Sequence, residues 1–200
     1  MPPVLADDIA RLTAALSRPL GASSDYDLNP DVPLPIKGLR PAAVLIALWD
    51  RGETRLILTK RASHLKHHPG QIAFPGGKQE PGDSGPQSAA LREAQEEIGL
   101  DPGNVTVLGH LPAHETVTGF SISPILGHVR ADFTPRPDPA EVEELFTVPL
   151  PHVLNPDNYA IEKRLWRGQW RRYYAVPYGP YYIWGATARI LHGLAEQVRG

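Results

Sequence analysis

The stretch Arg92-Glu93-Ala94-Gln95-Glu96-Glu97-Ile98-Gly99-Leu100 sets carboxylates at spacings of three and four. On a helix, residues so spaced are neighbours on one surface, with Cβ atoms about 5–6 Å apart. Three carboxylates at that distance repel one another. Arg92, four residues before Glu96, relieves part of the repulsion, and the remainder invites a divalent cation. Hard carboxylate oxygens, in a chain with no cysteine, favour Mg²⁺ or Mn²⁺ over zinc. The bland alternative is a solvated charged helix face. The segment upstream favours the site. In Phe74-Pro75-Gly76-Gly77-Lys78 two adjacent glycines permit tight backbone geometry and close approach to a ligand or a helix. A Gly-Gly loop, an acidic turn and an acid-rich helix in that order are more specific than any one of them.

A second cluster is basic. Lys60, Arg61, Lys66, His67 and His68 precede the glycines and suit an anionic, phosphate-bearing ligand, although a solvated basic loop would look the same. His64, His67 and His68 have a zinc-like spacing but sit in an expected loop with no further ligand, which argues against zinc. Three other groups compete with ordinary surface. His114-Glu115-Thr116-Val117-Thr118-Gly119-Phe120 could line a cleft or supply a base through Glu115. Glu141, Glu143 and Glu144 could add a carboxylate facing the metal. Trp166, Trp170, Tyr173, Tyr174, Tyr178, Tyr181, Tyr182 and Trp184 could stack on a base, or serve as core or dimer interface.

The elements that must hold these residues follow from periodicity. Ile9, Leu12, Leu16 and Leu20 predict a helix over Asp7–Leu20, with Asp7 or Asp8 as cap. Residues 21–38 read as an irregular arm. Ala42–Trp49 is a continuous apolar run of strand length; with Arg55–Lys60 it predicts a hairpin turning at 51–54. Ser63–Gly70 reads as a loop and Gln71–Phe74 as a short strand. Gly85–Gly99 is the acid-bearing helix, with Ala90, Leu91, Ala94 and Ile98 inward and Gly99 as C-cap. Val105–His110 and Ile122–Val129 are further strands. Glu141–Pro149 fits either a helical turn or a strand. Leu165–Tyr178 is hairpin-like around Arg167-Gly168-Gln169, and Ala186–Val198 is a terminal helix with Ile190, Leu191, Leu194 and Val198 inward. This order predicts an α+β fold, a mixed sheet sandwiched between helices.

A chain of 200 residues with 42% hydrophobic and 21% charged residues is ordinary for one soluble domain. Its formal net charge of -2 gives no bulk attraction to nucleic acid. The residues before the arm carry no basic, apolar targeting pattern, and the longest apolar stretch, Pro41–Trp49, is far too short for a membrane span. A cytoplasmic protein acting on a small molecule, as monomer or homodimer, with no nucleic-acid or membrane partner, is the expectation.

Gly77 to Leu100 resembles the Nudix box, G-x5-E-x7-R-E-U-x-E-E-x-G-U, where U is bulky and apolar. Gly77, Arg92, Glu93, Glu96, Glu97, Gly99 and Leu100 match. Asp83 stands in place of the first glutamate, with eight rather than seven residues between it and Arg92, and Ala94 is small for its apolar slot. The resemblance implies a pyrophosphohydrolase in which Glu93, Glu96 and Glu97, with a carbonyl near Gly76 or Gly77, hold Mg²⁺ against a diphosphate. Arg92 would orient the glutamates. Leu58-Thr59-Lys60-Arg61-Ala62, then Gly70, then Phe74-Pro75-Gly76-Gly77 is similar to the signature that precedes the box in coenzyme A pyrophosphatases, with Lys66 where that signature has arginine. Ile183-Trp184-Gly185-Ala186-Thr187-Ala188 is similar to the same subfamily. Lys60, Arg61, Lys66 and Gly76 would then bind coenzyme A or an acyl derivative, for cleavage to 3′,5′-ADP and 4′-phosphopantetheine. The resemblance spans most of Leu39–Leu194, so residues 39–200 are expected as the hydrolase domain and 1–38 as a helix and arm. ADP-ribose, NADH or another dinucleotide is the alternative substrate. A ligand-sensing Nudix fold without turnover is the alternative class; the complete set of box glutamates and the lack of a basic helix-turn-helix in residues 1–38 disfavour it.

Overall fold

The structure, a computed structural model, describes residues 3–19, 21–32, 38–166 and 168–200. In chain order the elements are α1 (Pro3–Leu16), β1 (Ser23–Ser24), β2 (Arg40–Asp50), β3 (Thr54–Arg61), β4 (Ile72–Ala73), β5 (Gly76–Lys78), α2 (Pro86–Ile98), β6 (Val105–His110), β7 (His114–Glu115), β8 (Phe120–Val129), β9 (Val142–Pro149), α3 (Leu150–Val153), β10 (Ala160–Trp166), β11 (Gln169–Ala175) and α4 (Ala186–Arg199). The main sheet is mixed. It runs β1-β7-β8-β2-β3-β4, with β5 also on β2, β6 on β8 and β9 on β3. β2 and β8 are parallel, whereas β2 with β3 and β3 with β9 are antiparallel.

The apolar run in β2 is continuous because both faces of that strand are covered. Ile46 and Leu48 join Leu56, Leu58, Leu126 and Val148 on one face, beneath Leu12 and Ala15 of α1 and Ile190, Leu191, Leu194 and Val198 of α4. Ala43, Leu45, Ala47 and Trp49 join Ile57 and Ile125 on the other, beneath Ala90, Ala94 and Ile98 of α2. The expected sheet sandwiched between helices is the architecture observed. Small residues on the buried side of α2 bring its backbone close to the sheet, and so bring its glutamates close to β5.

Several boundaries differ from the sequence expectation. α1 begins at Pro3 rather than near Asp7, because proline is tolerated in a first helical turn, where its missing N–H costs nothing. Asp7 and Asp8 therefore lie within the helix rather than capping it. The expected inward Leu20 lies outside the described residues. The arm is not wholly irregular: β1 pairs in parallel with β7. Residues 142–149 are a strand, because β3 offers them a long antiparallel partner. The aromatic hairpin starts earlier than Leu165, at Ala160, and stands apart as a two-stranded sheet; Arg167 in its turn lies outside the described residues. Gly99 takes the left-handed conformation at φ 70° and closes α2, its N–H on the Gln95 carbonyl at 3.0 Å. Among the described residues no helix is long and apolar enough to cross a membrane.

Leu12 is fully buried beneath the sheet, so α1 is a structural layer of the fold. Leu12→Ala should destabilise the protein by about 2–5 kcal/mol, read as a fall in the urea midpoint. A loss under about 0.5 kcal/mol would show that the helix only rests on the surface.

Candidate active site

Gly76 and Gly77 of β5 run antiparallel to Val44 and Ala43 of β2, and α2 passes over them. Only glycine fits at Gly76, and at Gly77 any side chain would displace the Glu93 carboxyl. A Cβ on Gly76 would lie 2.4 Å from the Ala43 carbonyl oxygen, and the residue has φ 153°. A Cβ on Gly77 would lie 2.5 Å from the Glu93 carboxyl carbon. The two glycines thus let a strand approach its neighbour and let a carboxylate lie directly on the strand.

Glu97 is only 4% exposed. Its Oε2 accepts the Gly76 N–H at 3.0 Å, and Arg61 Nη1 stands 4.0 Å from its Oε1. Burial pushes the carboxyl up to about 8; the Gly76 amide and Arg61 oppose that shift, and the charges of Glu93 and Glu141 add to it. Glu93 is also raised, mainly by burial, with Arg92 opposing. Two neighbouring carboxylates are thus held where ionising both is costly.

Arg92 organises the polar rim. Its Nε and Nη2 bind Asp83 in a bidentate pair, each at 3.1 Å, and Nη2 also donates to the Lys78 carbonyl at 3.1 Å. Its Nη1 reaches Glu93 Oε1 at 3.1 Å and Glu96 Oε2 at 2.8 Å. The bidentate partner holds the Asp83 carboxyl below the usual range. Asp83 also accepts the Glu80 N–H at 2.8 Å, closing the acidic turn. The acid that departs from the box pattern therefore anchors the arginine.

The structure brings Glu93 and Glu97 together against Gly76–Gly77 and turns the more exposed Glu96 toward Arg92. Among the described residues no three His, Asp or Glu side chains converge closely enough to hold a metal ion. The donor set nonetheless suits a hard divalent cation. Glu93 and Glu97 are carboxylates whose ionisation is opposed by burial, and the glycine cradle leaves the Glu93 oxygens lying on the backbone. Glu96 and the Gly77 carbonyl lie on the same two elements, α2 and β5.

The basic cluster is only partly assembled here. Arg61 points at Glu97. Lys60 Nζ is engaged at 2.6 Å by Glu143, whose other oxygen accepts the Ser63 N–H at 3.1 Å. Lys66 and the three loop histidines are exposed. Glu141, in the turn just before β9, raises both Glu93 and Glu97 through its charge, and its carbonyl accepts the Ala62 N–H at 2.8 Å. The 114–120 segment is held by contacts that no local pattern signals. His114 is fully buried between Ser23 Oγ at 2.9 Å and Asp25 Oδ1 at 3.1 Å, and the second Asp25 oxygen accepts the Val117 N–H at 3.0 Å. The Phe120 ring lies 4.0 Å beneath the Arg40 guanidinium. Of the aromatic tail, Tyr181 stacks on Phe146 and Tyr174 on His192, as core rather than as an open stacking platform.

This cradle of paired glycines, buried glutamates and an orienting arginine matches a known family. The NUDIX domain model matches residues 39–167. A relative from Enterobacter sp. (strain 638), named "Uncharacterized Nudix hydrolase NudL", is 40% identical over 171 residues, 86% of this chain and 89% of its own. Proteins of the same name from Escherichia coli (strain SMS-3-5 / SECEC) and Salmonella heidelberg (strain SL476) are 38% and 40% identical, with the same coverage of both chains. The chain belongs to the Nudix family. Nudix hydrolases act on nucleoside diphosphate derivatives and generally use a divalent metal such as Mg²⁺.

The raised Glu97 carboxyl has a consequence for stability. Its folded value of about 8 exceeds the ordinary 4.5, so the folded state holds a proton that the unfolded chain releases. Stability of the cation-free protein should therefore fall as pH rises from about 4.5 to about 8. Glu97→Gln should flatten that fall, and saturating Mg²⁺ should suppress it in the unsubstituted protein. Thermal melts across this range check both; an unchanged slope in the variant would remove Glu97 as its source.

Proposed function

We propose that the protein hydrolyses the diphosphate bond of coenzyme A or an acyl derivative, with Mg²⁺ or Mn²⁺, giving 3′,5′-ADP and 4′-phosphopantetheine or its acyl form. The observation that carries this reading is the 4.0 Å approach of Arg61 to Glu97. The end of β3, with its Lys60-Arg61 pair, meets the acid helix, so cations suited to phosphate stand beside carboxylates suited to a metal. Coenzyme A carries a 3′-phosphate in addition to its diphosphate, and Lys60, Arg61 and the exposed Lys66 supply charge for it.

On this reading Glu93, Glu96 and Glu97, with the Gly77 carbonyl, hold the cation. When bound it neutralises diphosphate charge and makes a bound water more acidic. Arg92, fixed by Asp83, keeps Glu93 and Glu96 oriented. The Gly76 amide fixes the Glu97 carboxylate and lets the diphosphate approach bare backbone. A water oxygen attacks one phosphorus, the bridging P–O bond breaks, and the other phosphate departs with the bridging oxygen. A glutamate of α2 accepts the proton of the attacking water. Residues 39–200 constitute the hydrolase domain, with 1–38 as a helix and arm fastened to it.

Incubation with Mg²⁺ and, separately, coenzyme A, ADP-ribose and NADH, followed by chromatography, tests the assignment. The expected result is metal-dependent release of 3′,5′-ADP from coenzyme A, faster than cleavage of the other two. Faster cleavage of ADP-ribose or NADH would overturn the coenzyme A reading, and binding without cleavage of any would make the protein a sensor. Glu97→Gln should lower turnover by about 10²-fold or more and leave the fold intact by circular dichroism. Near-normal activity would remove this helix from the chemistry.

A further inference from the structure

Among the described residues, one edge of the β10–β11 hairpin pairs with no further strand. The register joins Trp166 to Gln169 across the turn, then Leu165 to Trp170, Arg164 to Arg171, Lys163 to Arg172, Glu162 to Tyr173 and Ile161 to Tyr174. A pair that closes a two-residue turn faces its partner with its N–H and C=O groups, and this alternates along the ladder. Glu162 and Arg164 therefore bond to β11, whereas Ile161, Lys163 and Leu165 point their backbone groups outward. The opposite edge confirms this phase. Arg172, the partner of Lys163, turns its N–H and C=O away from β10, to the Asn29 side chain at 2.8 and 2.9 Å. Tyr174, the partner of Ile161, gives its carbonyl to the Gly185 N–H at 3.0 Å. The β11 edge is thus covered by Asn29 and Gly185. Among the described residues no backbone hydrogen bond reaches the outward groups of Ile161, Lys163 and Leu165, and β10 pairs with no strand but β11.

The side chains on this edge are complementary to themselves when the strand is reversed. We propose that two copies of the chain associate by antiparallel pairing of β10 with β10 about a two-fold axis at Lys163, making one continuous four-stranded sheet. In that register the outward groups of Ile161, Lys163 and Leu165 meet those of Leu165, Lys163 and Ile161 in the second copy, so the free donors and acceptors match. Ile161 packs beside Leu165 of the partner subunit, and Glu162 stands opposite Arg164 of the partner subunit. Cross-strand pairs of these kinds stabilise a ladder. Moving the axis to Glu162 or to Arg164 also matches the backbone, but loses both the Ile161–Leu165 and the Glu162–Arg164 pairs across the seam. Ile161, Leu165 and Trp170 are 55%, 57% and 64% exposed and share one face of the hairpin, so the pairing covers apolar surface that the fold leaves open. The one repulsive contact is Lys163 with its own copy. A lysine at an edge ordinarily discourages pairing; here its ammonium lies 5.5 Å from the Trp170 ring centroid of its own hairpin, beside the axis.

Sedimentation velocity over a range of protein concentrations tests this. The unsubstituted chain should sediment as a dimer, and Lys163→Thr should tighten it. Glu162→Arg and Arg164→Glu should each shift the protein to monomer while circular dichroism and melting temperature stay close to the original. The double exchange should restore the dimer, because it rebuilds the opposite-charge pair in the reversed sense. A monomer at every concentration would overturn the proposal, as would a dimer indifferent to the single exchanges. Failure of the double exchange to recover it would overturn the register.

Discussion

Glu97 is buried with one oxygen on the Gly76 amide, and Glu93 lies one helical turn before it with its carboxyl on Gly77. A single hydrogen bond to backbone does not offset the desolvation of an ionised carboxylate, and the neighbouring glutamate makes ionisation costlier. Burial pushes Glu97 up to about 8 even with the Gly76 amide and Arg61 opposing, so without a cation its protonated form is favoured near neutral pH. The other features of the site follow from this. Gly76 is required so that β5 can lie against β2, and Gly77 leaves the space that the Glu93 carboxyl occupies. Alanines at 90 and 94 permit that close approach from the helix side.

Arg92 solves a different part of the same problem. It cannot reach Glu97, but it neutralises Glu93 and Glu96, and its bidentate pair with Asp83 prevents it from collapsing farther onto the acids. A bidentate carboxylate partner fixes a guanidinium in a way that a single contact does not. The acidic turn is therefore part of the positioning of the helix. The basic side of the site is looser. Arg61 is directed inward, whereas Lys60 is held by Glu143, a partly exposed ion pair of little strength.

Much of this was legible in the chain. The helix of Arg92 to Glu97 and its glycine stop follow from local spacing, which sets helix faces and caps; the glycine pair, expected as a loop, is instead strand β5, because β2 offers it a partner. Residues far apart in sequence were not legible. Asp25 reaches His114 across 89 residues and Glu143 reaches Lys60 across 83, and nothing in either neighbourhood marks the pairing. Glu141–Pro149 fitted helix or strand because a short apolar-acidic run suits both; β3 decides it. The deflection of Glu96 toward Arg92 was half visible. Their spacing predicted the contact, but not that it would draw the glutamate away from its two companions. Asp83 looked like a departure from a pattern, and its purpose appears only when the guanidinium lies on it.

The central claim is that a divalent cation takes the place of the proton that Glu97 holds. Titration calorimetry of Mg²⁺ at pH 7, repeated in buffers of different ionisation enthalpy, measures protons released per cation bound. With Glu97 near 8 before binding, most molecules carry that proton at pH 7, and close to one proton should leave for each cation bound. Glu97→Gln should release none. Cation binding without proton release in the unsubstituted protein, or release that persists in the variant, would contradict the account.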